Sequence, residues 1–277
     1  IMMQKIIYLS QIKDYVEYMD RSIIDYIAEG QVETYESFNN HSIVAFDWQD
    51  ISDDTSKPSQ ILIYVDNNDI FFICENESAY KTASQHFVDA ETSEFAMYLF
   101  FKSMLKGAAK YLDLLEEKVS FLDDEVSNGT ESGLRDKIIN TRLKINRAKR
   151  YYQQLDFLFS EICDNDNMLI TDNCLRYFEI LRNRTVRFSS QSMYLWEYIN
   201  QVRESYQAQI GIEQNNVMKV FTMVTSIFLP LTLIAGWYGM NLQMPEFKWK
   251  YGYLFIIATC FLVSIIWFVW FKKKKWL

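Results

Sequence analysis

Two uncharged apolar runs near the C-terminus constrain this chain more than any other feature. Val220 to Trp237 holds 18 residues without a charge, and Tyr253 to Phe271 holds 19. Each approaches the ~20 residues that carry an α-helix across ~30 Å of hydrocarbon. One such run would also suit a buried core helix. Two of them, followed at once by Lys272-Lys273-Lys274-Lys275, read as a pair of membrane-spanning helices. Lysines cluster on the cytoplasmic side of spans, so the C-terminus is expected inside the cell membrane. With two spans the N-terminal region is inside as well, and Tyr238–Gly252 becomes a short external loop. Trp237, Tyr238, Trp249, Tyr251 and Tyr253 bracket that loop like an interfacial aromatic belt.

Charge is divided unevenly. The net charge is −8, yet the stretch from Tyr238 onward has six lysines against Glu246, a net of +5, which leaves −13 on the first 237 residues. A polyanionic region argues against nucleic acid as a partner, because phosphates require a basic surface. It suits a cation, although acidic solvated faces are common. Cys74, Cys163, Cys174 and Cys260 are scattered, and with His41 and His86 alone they do not spell a zinc cage. They fit a reducing compartment. No basic-apolar-small leader opens the sequence, so the N-terminal part is expected to remain cytoplasmic. No phosphate loop or nucleophile–base pair is visible, which disfavours an enzyme and a nucleotide partner.

The first ~90 residues read as α/β. Ile6–Leu9 is a strand candidate, and Ile12–Glu29 reads as a helix ending at Gly30. Ser42–Trp48 is a further strand. Ile61–Val65 and Ile70–Cys74 flank Asp66-Asn67-Asn68-Asp69 as a hairpin, with asparagine accepting positive φ in the turn. Asp47–Pro58 reads as an acidic exposed loop. Long helices follow, over Ser93–Ser127 and Leu134–Cys163. The run Asp164-Asn165-Asp166-Asn167 lacks the glycine and distal glutamate of a calcium loop and reads as a helix–helix turn.

From Asp172, a candidate N-cap, nothing breaks the helical pattern before Pro230. Phe178, Leu181, Thr185, Phe188, Ser192, Leu195, Ile199, Val202, Tyr206 and Ile210 recur at steps of 3 and 4, like a coiled-coil seam. At ~1.5 Å per residue a helix from Asp172 to Gly236 would be roughly 100 Å long, a stalk joining cytosol to membrane. A solitary stalk would leave its seam wet, which implies self-association. The fold class expected is an α+β cytoplasmic domain, a long helical stalk and two C-terminal transmembrane helices. The boundaries expected are 1–92 for the α/β domain, 93–215 for long helices and stalk, and 216–237 for the first span. The loop takes 238–252, the second span 253–271 and a basic tail 272–277.

The first span carries a line of polar or small residues at 3–4 spacing: Asn215, Met218, Thr222, Thr225, Leu229, Thr232 and Gly236. Its other faces are apolar, as is the whole second span. Such a stripe is expected to face protein or water; ordinary helix packing through small residues fits it as well as a water path does.

At the end of this helix stand Tyr238-Gly239-Met240-Asn241 and then Met244-Pro245-Glu246, with Asn216-Val217-Met218-Lys219-Val220 before it and Pro230-Leu231-Thr232 within it. In these motifs and their placement the last ~65 residues resemble the CorA family of divalent-cation channels. Upstream the likeness is one of architecture alone. Phe247 stands where the family usually has leucine, and the link from Asn241 to Met244 is one residue short. The resemblance implies a homopentamer in the lipid bilayer that takes up Mg²⁺ passively. It makes Asn241 the ion-entrance residue, with Gly239 and Met240 shaping the turn. Asn215, Met218, Leu229, Thr232 and Gly236 fall where members line the pore, with Phe221 or Thr222 at a narrow position between them. Intracellular Mg²⁺ is implied as the gating ion, with no ligand residues assigned.

The chemistry agrees with the resemblance. Mg²⁺ sheds water reluctantly, so a selective mouth binds the hydrated ion through neutral oxygens. The span has no carboxylate to hold it too tightly, and Met218 and Leu229 can close a path by excluding water. A Zn²⁺, Co²⁺ or Ni²⁺ transporter on the same scaffold, with or without proton coupling, is the alternative, and the retained Met240 favours magnesium. A membrane-anchored coiled coil without transport would not need the Gly-Met-Asn triplet.

Overall fold

Runs rich in Ile, Val and Phe near the N-terminus form the strands their composition suggests. In the computed structural model β1 spans Gln4–Tyr8, β2 Tyr35–Ser37, β3 His41–Trp48, β4 Ser59–Asp66 and β5 Ile70–Cys74. They make one sheet in the order β1-β5-β4-β3-β2. β1 is parallel to β5, and the other neighbours are antiparallel. The structure describes the chain except residues 1–2, 20, 29–31, 33, 49, 52–57, 130–132, 241–248 and 275–277. Most of the expected acidic loop therefore lies outside the described residues, as do Asn241, Glu246 and Lys275. The chain divides into two compact units, Ile1–Glu204 and Ser205–Leu277.

The β4–β5 hairpin forms, but not through positive φ at Asn67 or Asn68. Among the described residues the non-glycine positions with positive φ are Asn165 and Met168. Instead the Asp66 carboxylate accepts from the backbone N–H of Asn68 at 2.8 Å and of Asp69 at 2.6 Å. An aspartate that bonds its own chain two or three residues on mimics a backbone turn, so the first acid of the run closes the hairpin.

Both faces of the sheet are covered. On one, Ile43, Ala45, Leu62, Tyr64, Phe71 and Ile73 meet Ile12, Met19, Ile23, Ile24 and Ile27. These last five come from the stretch expected as one helix over Ile12–Glu29. It divides into a 3-10 helix, Leu9–Tyr15, and helix α1, Arg21–Ala28. Two short pieces can each turn their isoleucines onto a twisted sheet, which a straight rod cannot follow. On the other face lie α2, Glu77–His86, and α3, Ser93–Met104. There Phe72 meets Phe100 with centroids 4.6 Å apart, and Phe46 meets Phe101 at 5.5 Å. Asn76 caps α2 by accepting from the Ala79 N–H at 2.9 Å, and Thr92 caps α3 through the Phe95 N–H at 3.3 Å. Such caps contribute ~1 kcal/mol each.

The helix expected over Ser93–Ser127 is also two. α4 runs Ala108–Asn128 and is separated from α3 by Gly107 at φ 88°. Glycine adopts this left-handed backbone without steric cost, and the chain turns there. α5 spans Leu134–Asp164 and ends at Asn165, φ 47°. The Asn165 side chain closes the following turn by donating to the Ile170 carbonyl and accepting from its N–H. Asn167 donates through Nδ2 to the carbonyls of Phe38 and His41 and to Ser42 Oγ. The Asp164–Asn167 turn is thus docked on the β2–β3 connection.

α6 spans 67 residues, Asp172–Tyr238. Its cap is Thr171, one residue before the expected Asp172: Thr171 Oγ1 accepts from the Cys174 N–H at 3.4 Å. Glu94 of α3 holds Thr171 in place through bonds of 2.7 and 2.9 Å.

The seam of α6 requires a correction. Phe178, Leu181, Thr185, Ser192, Leu195, Ile199 and Val202 are already buried in a single chain. The neighbours are α3, whose Tyr98 meets Phe178 with centroids 6.1 Å apart, and then α4 and α5. Gln191 donates to Asp113 on α4, Tyr198 donates to Asp123 on α4, and Phe188 meets Tyr152 of α5 with centroids 5.5 Å apart. Arg142 and Lys149 of α5 both lie over the Trp196 ring, at 4.9 and 5.4 Å. The seam is filled by the chain's own helices, so it carries no argument for self-association as far as Val202. Sequence periodicity shows that a partner is needed and leaves open which helix supplies it.

Candidate ion path

All the residues expected to line a pore sit on α6. At ~100° per residue, Met218, Thr222, Thr225, Leu229, Thr232 and Gly236 share a stripe about 80° wide, with Asn215 and Phe221 flanking it on either side. In the single chain this stripe is open: Met218, Phe221 and Leu229 are 62 %, 62 % and 73 % exposed.

The threonines are less demanding than an apolar setting suggests. Thr222 donates to the Met218 carbonyl at 2.8 Å, Thr225 to Phe221 at 2.9 Å and Thr232 to Phe228 at 2.8 Å. These bonds to the preceding turn use each hydroxyl proton within the helix. Hence the stripe need not face protein or water to satisfy its donors. What remains outward is an oxygen with spare lone pairs, an acceptor that can meet the O–H of a water carried by a cation. The second apolar helix, α7, spans Gly252–Lys273 and treats its own hydroxyls alike: Thr259 donates to Phe255 and Ser264 to Cys260, each at 2.9 Å. Hydroxyls alone therefore do not separate the two helices. The difference is their alignment on α6, along with Asn215 and Gly236.

Pro230 lies inside α6 and has no N–H for the Ser226 carbonyl. A Cβ at Gly236 would meet nothing within 4 Å, so nothing in a single chain requires glycine there. Gly239 is different. A Cβ there would stand 2.9 Å from the Ala235 carbonyl oxygen, which also accepts the Gly239 N–H at 2.9 Å. Only a residue without a side chain fits this close helix end. Met240 follows, with its N–H 3.4 Å from the Trp237 carbonyl, and is 48 % exposed. Asn241 and Glu246, the next residues of interest, lie outside the described residues.

Beyond the loop, the Trp249 ring lies 5.8 Å from Phe255 and 6.4 Å from Tyr251. At the far end of α7, Lys272 and Lys273 complete its last turn, and Lys274 sits over the Trp270 ring at 5.3 Å. The stretch of α6 richest in apolar residues and α7 are both long and apolar enough to cross a membrane. Among the described residues no three His, Cys, Asp or Glu side chains converge as a metal site. Sequence reasoning missed Glu94, Asn167 and Thr171, which fix where α6 starts. Their partners lie 77 to 129 positions away, beyond any local pattern.

Comparison with known proteins follows the same outline. The cobalt/magnesium transport protein CorA of Thermotoga maritima is 26 % identical over 186 residues, covering 67 % of this chain and 53 % of the relative. The magnesium transport protein CorA of Escherichia coli K12 is 30 % identical over 197 residues, covering 64 % of this chain and 62 % of the relative. The chain thus spans about half to three-fifths of the length of these relatives. The complete structure of the CorA magnesium transporter from Methanocaldococcus jannaschii superposes with a TM-score of 0.75 at 19 % identity, covering 97 % of this chain and 87 % of that one. At that identity the likeness speaks for the fold. The family described as "CorA-like Mg2+ transporter protein" matches residues 10–273. Because that match runs from the sheet domain through both apolar helices, the chain belongs to the CorA-like Mg²⁺ transporter family.

Proposed function

We propose that this membrane protein forms a homopentameric pore for passive Mg²⁺ uptake, lined by α6 and opening at a ring of Asn241 side chains. One observation carries the reading. The helix that aligns Thr222, Thr225 and Thr232 as outward acceptors ends at a glycine with no room for a Cβ, immediately before Met240 and Asn241. One such stripe encloses nothing, whereas five around an axis enclose a path of neutral oxygens. Neutral oxygens suit a cation that keeps its water. Apolar rings of Met218 and Leu229 would close the path by excluding water. The open space at Gly236 fits a position whose constraint comes from other copies. Intracellular Mg²⁺ acts as the gating ion.

The word "cobalt" in the name of the Thermotoga maritima relative favours keeping a second reading, in which Co²⁺, Ni²⁺ or Zn²⁺ is the physiological ion. Proteoliposomes holding a divalent-sensitive dye decide between them. Mg²⁺ entry without a pH gradient supports the proposal; entry of Zn²⁺ or Co²⁺ alone, or entry only with a pH gradient, rejects it.

Assembly is checked by native mass spectrometry in mild detergent, where five chains of 33.0 kDa give 165 kDa. A monomer or dimer as sole species removes the pore. Orientation is checked with cysteines introduced by Gln243→Cys and Ser56→Cys. Burial pushes the thiols of Cys74 and Cys174 up to about 12, aided at Cys174 by Glu94. Thiolate is the reactive form, so these two react slowly, and all four native cysteines are replaced before the test. An impermeant maleimide added outside intact cells is expected to label the cysteine at position 243 and not that at 56. The reverse pattern would place both termini outside.

A further inference from the structure

In a region whose net charge is −13, at least two cavities among the described residues are lined by cations and by no acid, and the larger of these two is the candidate. It lies among α3, the α3–α4 turn and α6, and has a volume of about 550 Å³. Lys102, Lys106, Arg184 and Arg187 line it, together with Ser103 and with Leu99 and Phe188 among its apolar residues. Among the described residues none of the four cations pairs with a carboxylate. Lys102 instead rests over the Tyr98 ring at 5.5 Å. Ser103 is held by His86 Nδ1 at 2.9 Å, and Phe188 by its contact with Tyr152, so two walls are positioned before any ligand arrives.

The four cations are exposed, so water screens their repulsion, and an occupant carrying several negative charges can meet all four at once. Arginine pairs match phosphate oxygens in fork geometry, while lysines act as point charges. Arg184 and Arg187 are three apart on α6 and so lie on one helix face. The apolar wall beside them excludes a bare inorganic ion as the best fit and suits a ligand with an apolar or aromatic body.

We propose that this cavity binds a nucleoside polyphosphate, with its phosphates among Lys102, Lys106, Arg184 and Arg187 and its base against Leu99 and Phe188. The site does not depend on the transport reading. No local phosphate loop marks it, because it is assembled from helices about 80 positions apart in the chain. Charge also fixes which form binds. A triphosphate chelated by Mg²⁺ carries two fewer negative charges than the free one, so the cavity favours the Mg²⁺-free form and its occupancy falls as Mg²⁺ rises.

The test is calorimetric titration of the full chain in detergent with ATP, ADP, AMP and pyrophosphate, with and without excess Mg²⁺. The expected order is ATP tighter than ADP, AMP and pyrophosphate, with Mg²⁺ weakening ATP at least tenfold. Arg184→Glu/Arg187→Glu is expected to weaken ATP by tenfold or more, and Arg184→Lys/Arg187→Lys by less. An unchanged melting temperature and oligomer mass show that the variants are folded. No heat with ATP at millimolar concentration overturns the site, as does ATP binding that ignores the charge reversal in a folded variant. Pyrophosphate binding as tight as ATP overturns the nucleoside part.

Discussion

Asn241→Ala is expected to abolish useful Mg²⁺ capture while the protein still assembles. If five amides face a hydrated ion at one level, the substitution removes five acceptors at once. Each hydrogen bond to a charged complex is worth about 1.5–3 kcal/mol, so losing even two would slow uptake 100-fold or more at ~1.4 kcal/mol per decade. Asn241→Asp keeps the shape and adds negative charges, some of them suppressed by mutual repulsion. It is expected to bind cations more tightly, release them more slowly and discriminate less among divalent ions. Fluorescent Mg²⁺ uptake by proteoliposomes reads both variants. Wild-type uptake by a normally assembled Asn241→Ala protein would make Asn241 an ordinary loop residue.

Gly239→Ala is expected to be nearly as damaging, for a steric reason. The added Cβ would lie 2.9 Å from the Ala235 carbonyl oxygen, a separation that Cβ atoms essentially never adopt. That oxygen cannot simply retreat, since it accepts the Gly239 N–H. The helix end must therefore open, and Met240 and Asn241 are displaced with it. Loss of the bond alone costs about 0.5–1.5 kcal/mol, within the reach of a stable fold. Flux is expected to fall at least tenfold with the oligomer mass unchanged. Gly236→Ala is the comparison: its Cβ meets open space in the single chain, so any loss of flux there would arise in the path between copies and not in the helix end. Equal, undiminished flux in Gly239→Ala would show that the close helix end has no part in transport.

What the sequence made legible were features with local signals. The charge-free runs at Val220–Trp237 and Tyr253–Phe271 and the strand-forming run at Ser42–Trp48 announce themselves within a few residues of their ends. The hairpin around Asp66–Asp69 was legible as a hairpin, whereas its chemistry was not, because the Asp66 carboxylate satisfies the turn that positive φ would otherwise make. The break at Gly107 had a single glycine as its signal, one that many helices tolerate. The division within Ile12–Glu29 had none, since the isoleucine spacing continues across it and the sheet's twist decides the matter. The α6 seam shows the same limit: its period was visible, and its partners, α3 and the α4–α5 hairpin, were a tertiary fact. Asn241 is prominent only through resemblance; nothing in its local chemistry distinguishes it from other loop asparagines.

Voltage tests the central claim most directly. A passive pore moves Mg²⁺ down its electrochemical gradient, and two charges crossing 100 mV gain ~4.6 kcal/mol, enough for a concentration ratio of more than 1,000-fold at equilibrium. Purified protein is placed in vesicles holding a Mg²⁺ dye, with no nucleotide and equal pH on both sides, and a potassium diffusion potential is set inside-negative. Uptake against the Mg²⁺ concentration gradient that rises with the imposed potential, and stops when the potential is collapsed, is the predicted result. Vesicles that stay empty at every potential, or that fill at a rate indifferent to it, would contradict a pore for Mg²⁺.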